Sequence, residues 1–149
     1  MLRDEDGART HVPAPGLADL AQLVSDVQAA GVPATLHLVG ETGDVPAGVG
    51  MSAYRVVQEA LTNVIKHAGS PTRVDVTVRR QPGAVTVEVV DDGRGLAVVA
   101  GDGQAPDGSG HGLIGMRERV EVWGGELLAG AAPGGGFRVC AQLPYGAER

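Results

Sequence analysis

The sequence predicts an α+β two-layer sandwich in which a mixed, mostly antiparallel sheet carries about three helices on one face. The order of the patterns predicts this class, because helix, strand, helix, hairpin, helix and hairpin follow one another along the chain. The 149 residues have the length of one domain, and 43% are hydrophobic while only 3% are aromatic, so the core must be aliphatic. Glycine (24) and proline (9) are together about twice as frequent as usual, without a fixed repeat.

The first half of the chain contains two predicted helices and one strand. Apolar residues at helical spacing predict a helix from Leu17 to Ala30, which Gly31 ends as a C-terminal cap. Alternating residues predict a strand from Ala34 to Val39, and a turn-rich stretch follows from Gly40 to Gly50. The longest helical pattern runs from Met51 to Ala68.

The second half contains two predicted hairpins with a helix between them. Alternation predicts strands from Thr72 to Arg80 and from Ala84 to Val90, joined by a tight turn. A helix is predicted from Leu113 to Trp123, where two glycines break the pattern. The last hairpin pairs a strand from Glu126 to Ala131 with one from Phe137 to Leu143.

Charge and cysteine content exclude several classes of function. The net charge of −6 disfavours binding to a phosphate backbone, so no nucleic acid is expected as a partner. No apolar run approaches the roughly 20 residues that cross a bilayer, so no direct membrane contact is expected of this domain. The single cysteine, Cys140, excludes an internal disulfide and a cysteine metal cage. Cys140 lies in an alternating segment, which predicts that it is a small buried residue. The absence of a disulfide is consistent with a cytoplasmic location.

The longest helix has an apolar arc and a polar side. Glu59, Asn63 and His67 follow one another at i, i+4 spacing and form one row, with Lys66 beside Asn63. A solvated helix face is the plain alternative, but asparagine is a poor helix former and needs a reason in mid-helix. An amide oxygen suits Mg²⁺, and a carboxylate one turn away could orient or deprotonate a nucleophile. The predicted apolar arc consists of Tyr54, Val57, Leu61, Val64, Ile65 and Ala68.

The first hairpin ends in a carboxylate that glycines follow. Asp91 comes at the end of a strand, and Gly93 and Gly95 allow the backbone to approach a flat ligand closely. The carboxylate could accept a hydrogen bond from the 6-amino group of adenine, although a surface turn explains the same residues. From Asp92 to Gly110 no periodicity appears, and loops of that length are usually lids or binding loops or are disordered.

A glycine motif opens the helix after this loop. Gly110-His-Gly-Leu-Ile-Gly115 has the spacing G-x-G-x-x-G, and a glycine-rich helix N-terminus is a natural phosphate site. A dinucleotide fold is excluded, because that motif would have to follow an early strand of a βαβ unit. The chain also has no P-loop motif. A third cluster, Gly134 to Gly136, is explained adequately by a hairpin turn.

Together these segments resemble the three boxes of the ATPase superfamily that gyrase, Hsp90-type chaperones, MutL and histidine kinases share, known as GHKL. The resemblance is greatest to sensor histidine kinases of the NarL/DesK type. It rests on Tyr54-Arg-Val-Val-Gln-Glu-Ala-Leu-Thr-Asn-Val-Ile-Lys-His-Ala68 and on Gly110-His-Gly-Leu-Ile-Gly-Met-Arg-Glu-Arg-Val120, with Asp91-x-Gly-x-Gly95 between them. It covers residues 17–144.

This resemblance implies an ATP-binding catalytic domain with the Bergerat fold and with ATP and Mg²⁺ as cofactors. It implies that Asn63 is a Mg²⁺ ligand, that Glu59 positions Mg²⁺ or activates the acceptor, and that Asp91 binds the adenine amine. Residues 96–109 would form the ATP lid, and the roles of Arg117 and Arg119 stay open. The other residues implied in nucleotide binding are Lys66, His67, Gly93, Gly95, Gly110, His111, Gly112, Leu113 and Gly115.

In this family the phosphate acceptor is a histidine on a two-helix dimerisation segment, and none of the four histidines fits that role. We therefore expect residues 1–16 to be a linker from a missing dimerisation and phosphoacceptor segment, and residues 145–149 to be a tail. Such a fragment would be a monomer that binds ATP and ADP without phosphorylating itself. The dimerisation domain and a cognate response regulator would be its partners, and the full-length protein can be membrane-anchored. The alternatives are an anti-sigma-factor serine kinase of the same superfamily and a non-catalytic nucleotide-binding scaffold.

Overall fold

The computed structural model describes residues 14–40, 45–67, 73–93, 109–133 and 135–145 of the chain. Predictions for Ala68, Gly95 and most of the proposed lid lie outside these ranges. The elements follow the predicted order. They are a short 3₁₀ helix (Leu17–Asp19), α1 (Leu20–Ala29), β1 (Ala34–Val39), α2 (Ala47–His67), β2 (Val74–Gln81), β3 (Ala84–Asp91), α3 (Ser109–Glu121), β4 (Glu126–Ala131) and β5 (Phe137–Pro144).

The strands form one five-stranded sheet in the order β1-β2-β3-β5-β4. β1 pairs with β2 in parallel, and every other neighbouring pair is antiparallel, so the predicted mixed and mostly antiparallel sheet is confirmed. The helices pack against the sheet as the second layer of the predicted sandwich. In the pairing of β3 with β5, the last residue of β3, Asp91, lies opposite the first residue of β5, Phe137.

The core between the two layers is aliphatic, as the composition predicts. Alternate residues of each strand point inward because side chains of a strand alternate between its two faces. Burying this apolar surface is the main favourable contribution to folding. The largest fully buried side chains are Leu20, Leu61, Met116, Leu143 and the valines at 49, 56, 57, 74, 76, 78, 85 and 87.

Helices α2 and α3 lie antiparallel to each other. At one end, the Nε1 of Trp123 donates a hydrogen bond of 3.0 Å to the Oγ of Ser52, in the second turn of α2. At the other end, Glu59 reaches Gly112 in the first turn of α3. The pairing therefore brings the first turn of α3 to the polar row of α2.

Both of these helices begin one turn earlier than the sequence predicts. α2 begins at Ala47 instead of Met51, because the glycines that suggested a turn serve packing instead. A Cβ on Gly48 would lie 2.9 Å from the ring of Trp123, and Gly50 lies against the backbone of Leu17. α3 begins at Ser109 instead of Leu113, so the glycine motif lies within the helix and Ser109 is not part of a loop.

Two predictions about side-chain burial are wrong. Ile65, assigned to the apolar arc of α2, is 53% exposed, whereas Asn63, assigned to the polar side, is buried. The buried side of α2 is thus rotated towards Asn63, because the helix packs against both the sheet and α3. Cys140 is half-buried rather than buried, because its strand turns Val139 and Ala141 to the core and Cys140 to the opposite face.

Candidate functional site

Two polar residues stand out by their burial. Among the residues that the structure describes, Asn63 and Asp91 are the only polar or charged residues that are buried, with 1% and 4% of their surface exposed. Buried polar groups carry a desolvation cost unless a partner compensates for it. Both residues are also among those that the sequence assigns to a nucleotide site, and the two differ in how their polar atoms are satisfied.

Asp91 is held by the backbone around it. It ends β3 on the face of the sheet that carries the core, and the N–H of Gly93 donates a hydrogen bond of 2.8 Å to its Oδ1. Burial raises the pKa of the Asp91 carboxyl, and the N–H groups of Gly93 and Phe137 offset part of that effect. The charge of Asp92 adds to the increase. Asp91 is therefore a desolvated acceptor that the N–H of Gly93 orients.

The neighbouring carboxylate has a different position. Asp92 is exposed, and its Oδ1 accepts a hydrogen bond of 3.1 Å from the backbone N–H of Arg73. The guanidinium of Arg73 is paired with Asp75 instead, at 2.7 Å. Of the two consecutive aspartates, only Asp91 is buried at the candidate site.

Asn63 lies in the second half of α2, with its amide within the protein. Its Nδ2 is buried and has no hydrogen-bond partner among the residues that the structure describes. A buried donor without a partner costs roughly 1–3 kcal/mol. The amide is thus placed at a site where a further group, supplied from outside the described chain, would satisfy it.

Glu59 lies one turn before Asn63 and reaches the first turn of α3. A Cβ on Gly112 would be 2.5 Å from the Oε2 of Glu59, so glycine lets this carboxylate lie against α3 in its present rotamer. The first four N–H groups of a helix have no intrahelical acceptor and form its positive end. The contact therefore combines a carboxylate with the end of α3 that favours anions.

The other predicted residues that the structure describes lie in the last turn of α2, in the first two turns of α3 or directly after β3. Lys66 is exposed and His67 half-buried in the last turn of α2. Gly110 and His111 belong to the first turn of α3, and Leu113 is half-buried against the core. Gly115 lies beside Arg119, whose Nη1 would be 3.4 Å from a Cβ at that glycine.

The described side chains hold no ready-made metal centre. Among them, no group of three or more His, Cys, Asp or Glu is placed to bind an ion. A cation at this end of the site would need oxygen atoms of Asn63 and Glu59 together with oxygens of a bound ligand. That donor set suits Mg²⁺, which usually takes one or two carboxylates plus substrate phosphates. The helices in the described part of the chain include no candidate for a membrane span.

One structural feature of the site was not recognised from the sequence. The sequence explains Gly136 as part of a hairpin turn, which the structure confirms, and the structure adds that Gly136 lies directly against the backbone of Asp91. The signal was present in the pattern, because pairing the strands that end at Asp91 and begin at Phe137 brings the glycine cluster to the carboxylate.

Comparison with known proteins defines the class. Residues 48–147 match the family described as histidine kinase-, DNA gyrase B-, and HSP90-like ATPase. The chain belongs to this family. The match covers both helices of the site, Asp91 and the last hairpin.

Its similarity within the family is to sensor histidine kinases. The chain is 33% identical over 110 residues to the signal transduction histidine-protein kinase/phosphatase DegS of Brevibacillus brevis, which covers 74% of this chain. It is 30% identical over 131 residues to the sensor histidine kinase YxjM of Bacillus subtilis, which covers 87%. The chain spans only 27% and 30% of the lengths of these two relatives. The predicted resemblance to histidine kinases of the NarL/DesK type is thus confirmed.

Solved structures agree with this assignment. The blue-light activated histidine kinase of Erythrobacter litoralis EL346 superimposes with a TM-score of 0.67 at 26% identity, over 88% of this chain and 45% of that one. Full-length ShkA in complex with AMPPNP gives a TM-score of 0.62 over 89% of this chain and 30% of that one, and at 19% identity it supports the fold alone. In sequence and fold, the chain corresponds to the ATP-binding catalytic domain of sensor histidine kinases.

Proposed function

We propose that this domain binds ATP with Mg²⁺ and presents the γ-phosphoryl group to a histidine on a dimerisation domain of the full-length protein. The observation that carries the proposal is the pair of buried polar residues. Among the residues that the structure describes, Asp91 and Asn63 are the two polar or charged residues that are buried, and burying polar groups costs free energy. A nucleotide would compensate for that cost at both places.

At the base end, Asp91 would accept a hydrogen bond from the amino group of adenine. Its Oδ1 is already bonded to the N–H of Gly93, so the carboxylate has a fixed orientation before a ligand arrives. A fixed acceptor in a desolvated site loses little entropy when the ligand binds. Gly93 itself is buried and leaves the backbone close to the carboxylate, where a flat ring would lie.

At the phosphate end, Asn63 and Glu59 would hold the metal and orient the triphosphate. The metal held there would supply positive charge that offsets the charge of the phosphates. Without a cation, the carboxylate of Glu59 and a phosphate at the first turn of α3 would repel each other, because both are anions. Lys66 and His67, in the last turn of α2, and the N–H groups at the start of α3 would add positive charge.

In the transfer itself, a histidine nitrogen of the dimerisation domain would form a bond to the γ-phosphorus as the bond to the β,γ-bridging oxygen breaks, leaving ADP. The domain would contribute position and charge rather than a nucleophile of its own. Glu59 would accept or hold the proton of the acceptor imidazole. A response-regulator aspartate would then take the phosphoryl group, in the cytoplasm, where ATP is available.

We propose the same domain limits as from the sequence: an ATP-binding domain over residues 17–144 after a linker at 1–16, with a lid about 96–109. Isothermal titration with ATP, ADP and the same nucleotides in EDTA tests the binding proposal. Binding below millimolar concentration that weakens without Mg²⁺ is expected. No binding of ATP or ADP at millimolar concentration would overturn the proposal and favour a scaffold without nucleotide.

A further inference from the structure

The turn between β4 and β5 packs onto the backbone that carries the adenine carboxylate. Gly136 has φ +89°, in the left-handed region that favours glycine. A Cβ there would lie 1.9 Å from the carbonyl oxygen of Asp91 and 2.8 Å from the Cα of Asp92. These are backbone atoms, so a side chain at position 136 would have to push the Asp91–Asp92 segment away.

The preceding residue, Gly135, distinguishes the effect of backbone conformation from the effect of the close contact. Gly135 also has a positive φ, +108°, but a Cβ there would meet no atom within 4 Å. The two glycines therefore share the conformational requirement, and only Gly136 is needed for a close approach. This makes the two positions a matched pair for experiment.

The same backbone lies beside the Asp91 carboxylate. Phe137, the residue after Gly136, is the register partner of Asp91, and its N–H lowers the pKa of that carboxyl. Within the turn, the N–H of Ala132 donates to the carbonyl of Gly136 at 3.0 Å, and the N–H of Gly135 to that of Ala132 at 3.1 Å. The turn thus forms a bonded unit that closes on Asp91 from the β5 side.

We propose that Gly136 is a positioning residue for base recognition: by letting the turn close on Asp91, it fixes the carboxylate where it selects adenine over guanine. Adenine presents an amino donor at the position where guanine presents a carbonyl acceptor. A fixed carboxylate accepts from the first and repels the second. The inference rests on the proposed function, since it requires the adenine base to bind at Asp91.

The test compares Gly136→Ala with Gly135→Ala. Both substitutions impose left-handed strain on a residue with a Cβ, so both lower the thermal unfolding temperature. Affinities for ATP and GTP are measured for each folded variant and for the wild type. Gly136→Ala should weaken ATP binding by at least about tenfold and leave GTP binding nearly unchanged, because the carboxylate loses its position. Gly135→Ala should keep the wild-type ratio of the two affinities.

A ratio unchanged in Gly136→Ala would overturn the role of Gly136, and a wild type without preference for ATP would overturn the adenine site itself. Combining Gly136→Ala with Asp91→Asn should lower the ratio no further than Asp91→Asn alone. If Gly136→Ala does not fold, amide NMR of the wild type decides. The Gly136 and Phe137 signals should shift with adenosine and not with guanosine, and the absence of a shift with adenosine would contradict the proposal.

Discussion

The base end and the phosphate end of the candidate site place buried polar groups in opposite ways. At the base end, Asp91 accepts a hydrogen bond from the N–H of Gly93, so its carboxylate is partly satisfied and oriented without a ligand. At the phosphate end, the Nδ2 of Asn63 is as deeply buried but has no partner in the described chain. The sheet therefore preforms the base end, while the phosphate end, between two helices, is left incomplete.

This difference suggests a division of labour within the proposed site. A preformed carboxylate can select the base at little entropic cost, because it does not need to reorganise. An unsatisfied amide makes the free domain less stable, and a ligand that satisfies it recovers that energy on binding. Affinity for the phosphates should then depend on the metal, whereas affinity for the base should not depend on it.

The largest expected effect separates selection of the base from stability. Asp91→Asn should weaken ATP binding by about 1–3 kcal/mol. Because the N–H of Gly93 keeps the carbonyl oxygen of the new amide, its NH₂ group would face the adenine amine, donor against donor. The free domain should become more stable at neutral pH, since a buried charge is removed.

Calorimetry of binding and thermal unfolding check the two parts of this prediction. Asp92→Asn is the matched control, because that neighbour is exposed, and it should change ATP affinity little. Equal losses of ATP affinity in the two variants would show that the adenine base does not bind at Asp91.

The second prediction concerns the incomplete end. Asn63→Ala should reduce the Mg²⁺-dependent part of ATP affinity on the order of 10- to 100-fold, in the range usual for residues that support a metal site. Binding of adenosine should stay close to that of the wild type. A titration of ATP affinity against Mg²⁺ measures this, with Thr62→Ala as the neighbour control. A wild-type metal dependence in Asn63→Ala would break the contrast between the two ends.

Sequence patterns predict the strands well and the burial of particular side chains less well. β1 and β4 have the predicted bounds, and the row of Glu59, Asn63 and His67 follows from helical spacing alone. The burial of Asn63 depends on how α2 rotates between the sheet and α3, which periodicity within one helix does not determine. The outward position of Cys140 could have been predicted, since alternation with Val139 places it on the other face.

The glycines show the same limit of prediction from sequence. Those at positions 48, 112 and 136 each lie against a residue that is distant in sequence, and the pattern alone interprets them as turns or as parts of a motif. A single chain shows that a glycine is present, but not which neighbour requires it. Only the pairing of elements supplies that reason.

The third prediction uses the raised pKa of Asp91. In the folded domain this carboxyl binds a proton more readily than in the unfolded chain, where its pKa is about 3.9. Its contribution to stability is therefore fully present below the unfolded pKa and is lost as the pH rises through the raised folded pKa. Binding of the adenine amine should change in the opposite direction, because it needs the ionised carboxylate.

Adenosine, which has no phosphate groups, isolates this effect. Its affinity should fall as the pH is lowered from 7 through the raised pKa of Asp91, by at most about tenfold per pH unit. Asp91→Asn should show a flat profile over the same range. If adenosine affinity also falls with pH in Asp91→Asn, the titrating group is not Asp91. The measured quantity is therefore the difference between the two pH profiles.

The smallest expected effect tests whether Glu59 belongs to the incomplete end. Gly112→Ala should raise helix stability by up to about 1 kcal/mol, since alanine is the better helix former. The added Cβ would displace the carboxylate of Glu59, whose Oε2 lies 2.5 Å from that position. Because a side-chain end can rotate away, ATP affinity with Mg²⁺ should change only a few-fold.

Gly115→Ala is the matched control, as its Cβ would only contact Arg119 at 3.4 Å. In a Glu59→Ala background the effect of Gly112→Ala on affinity should vanish, as a double-mutant cycle with full coupling requires. If the effect persists there, the contact with Glu59 is not its cause, and α3 alone controls the phosphate end.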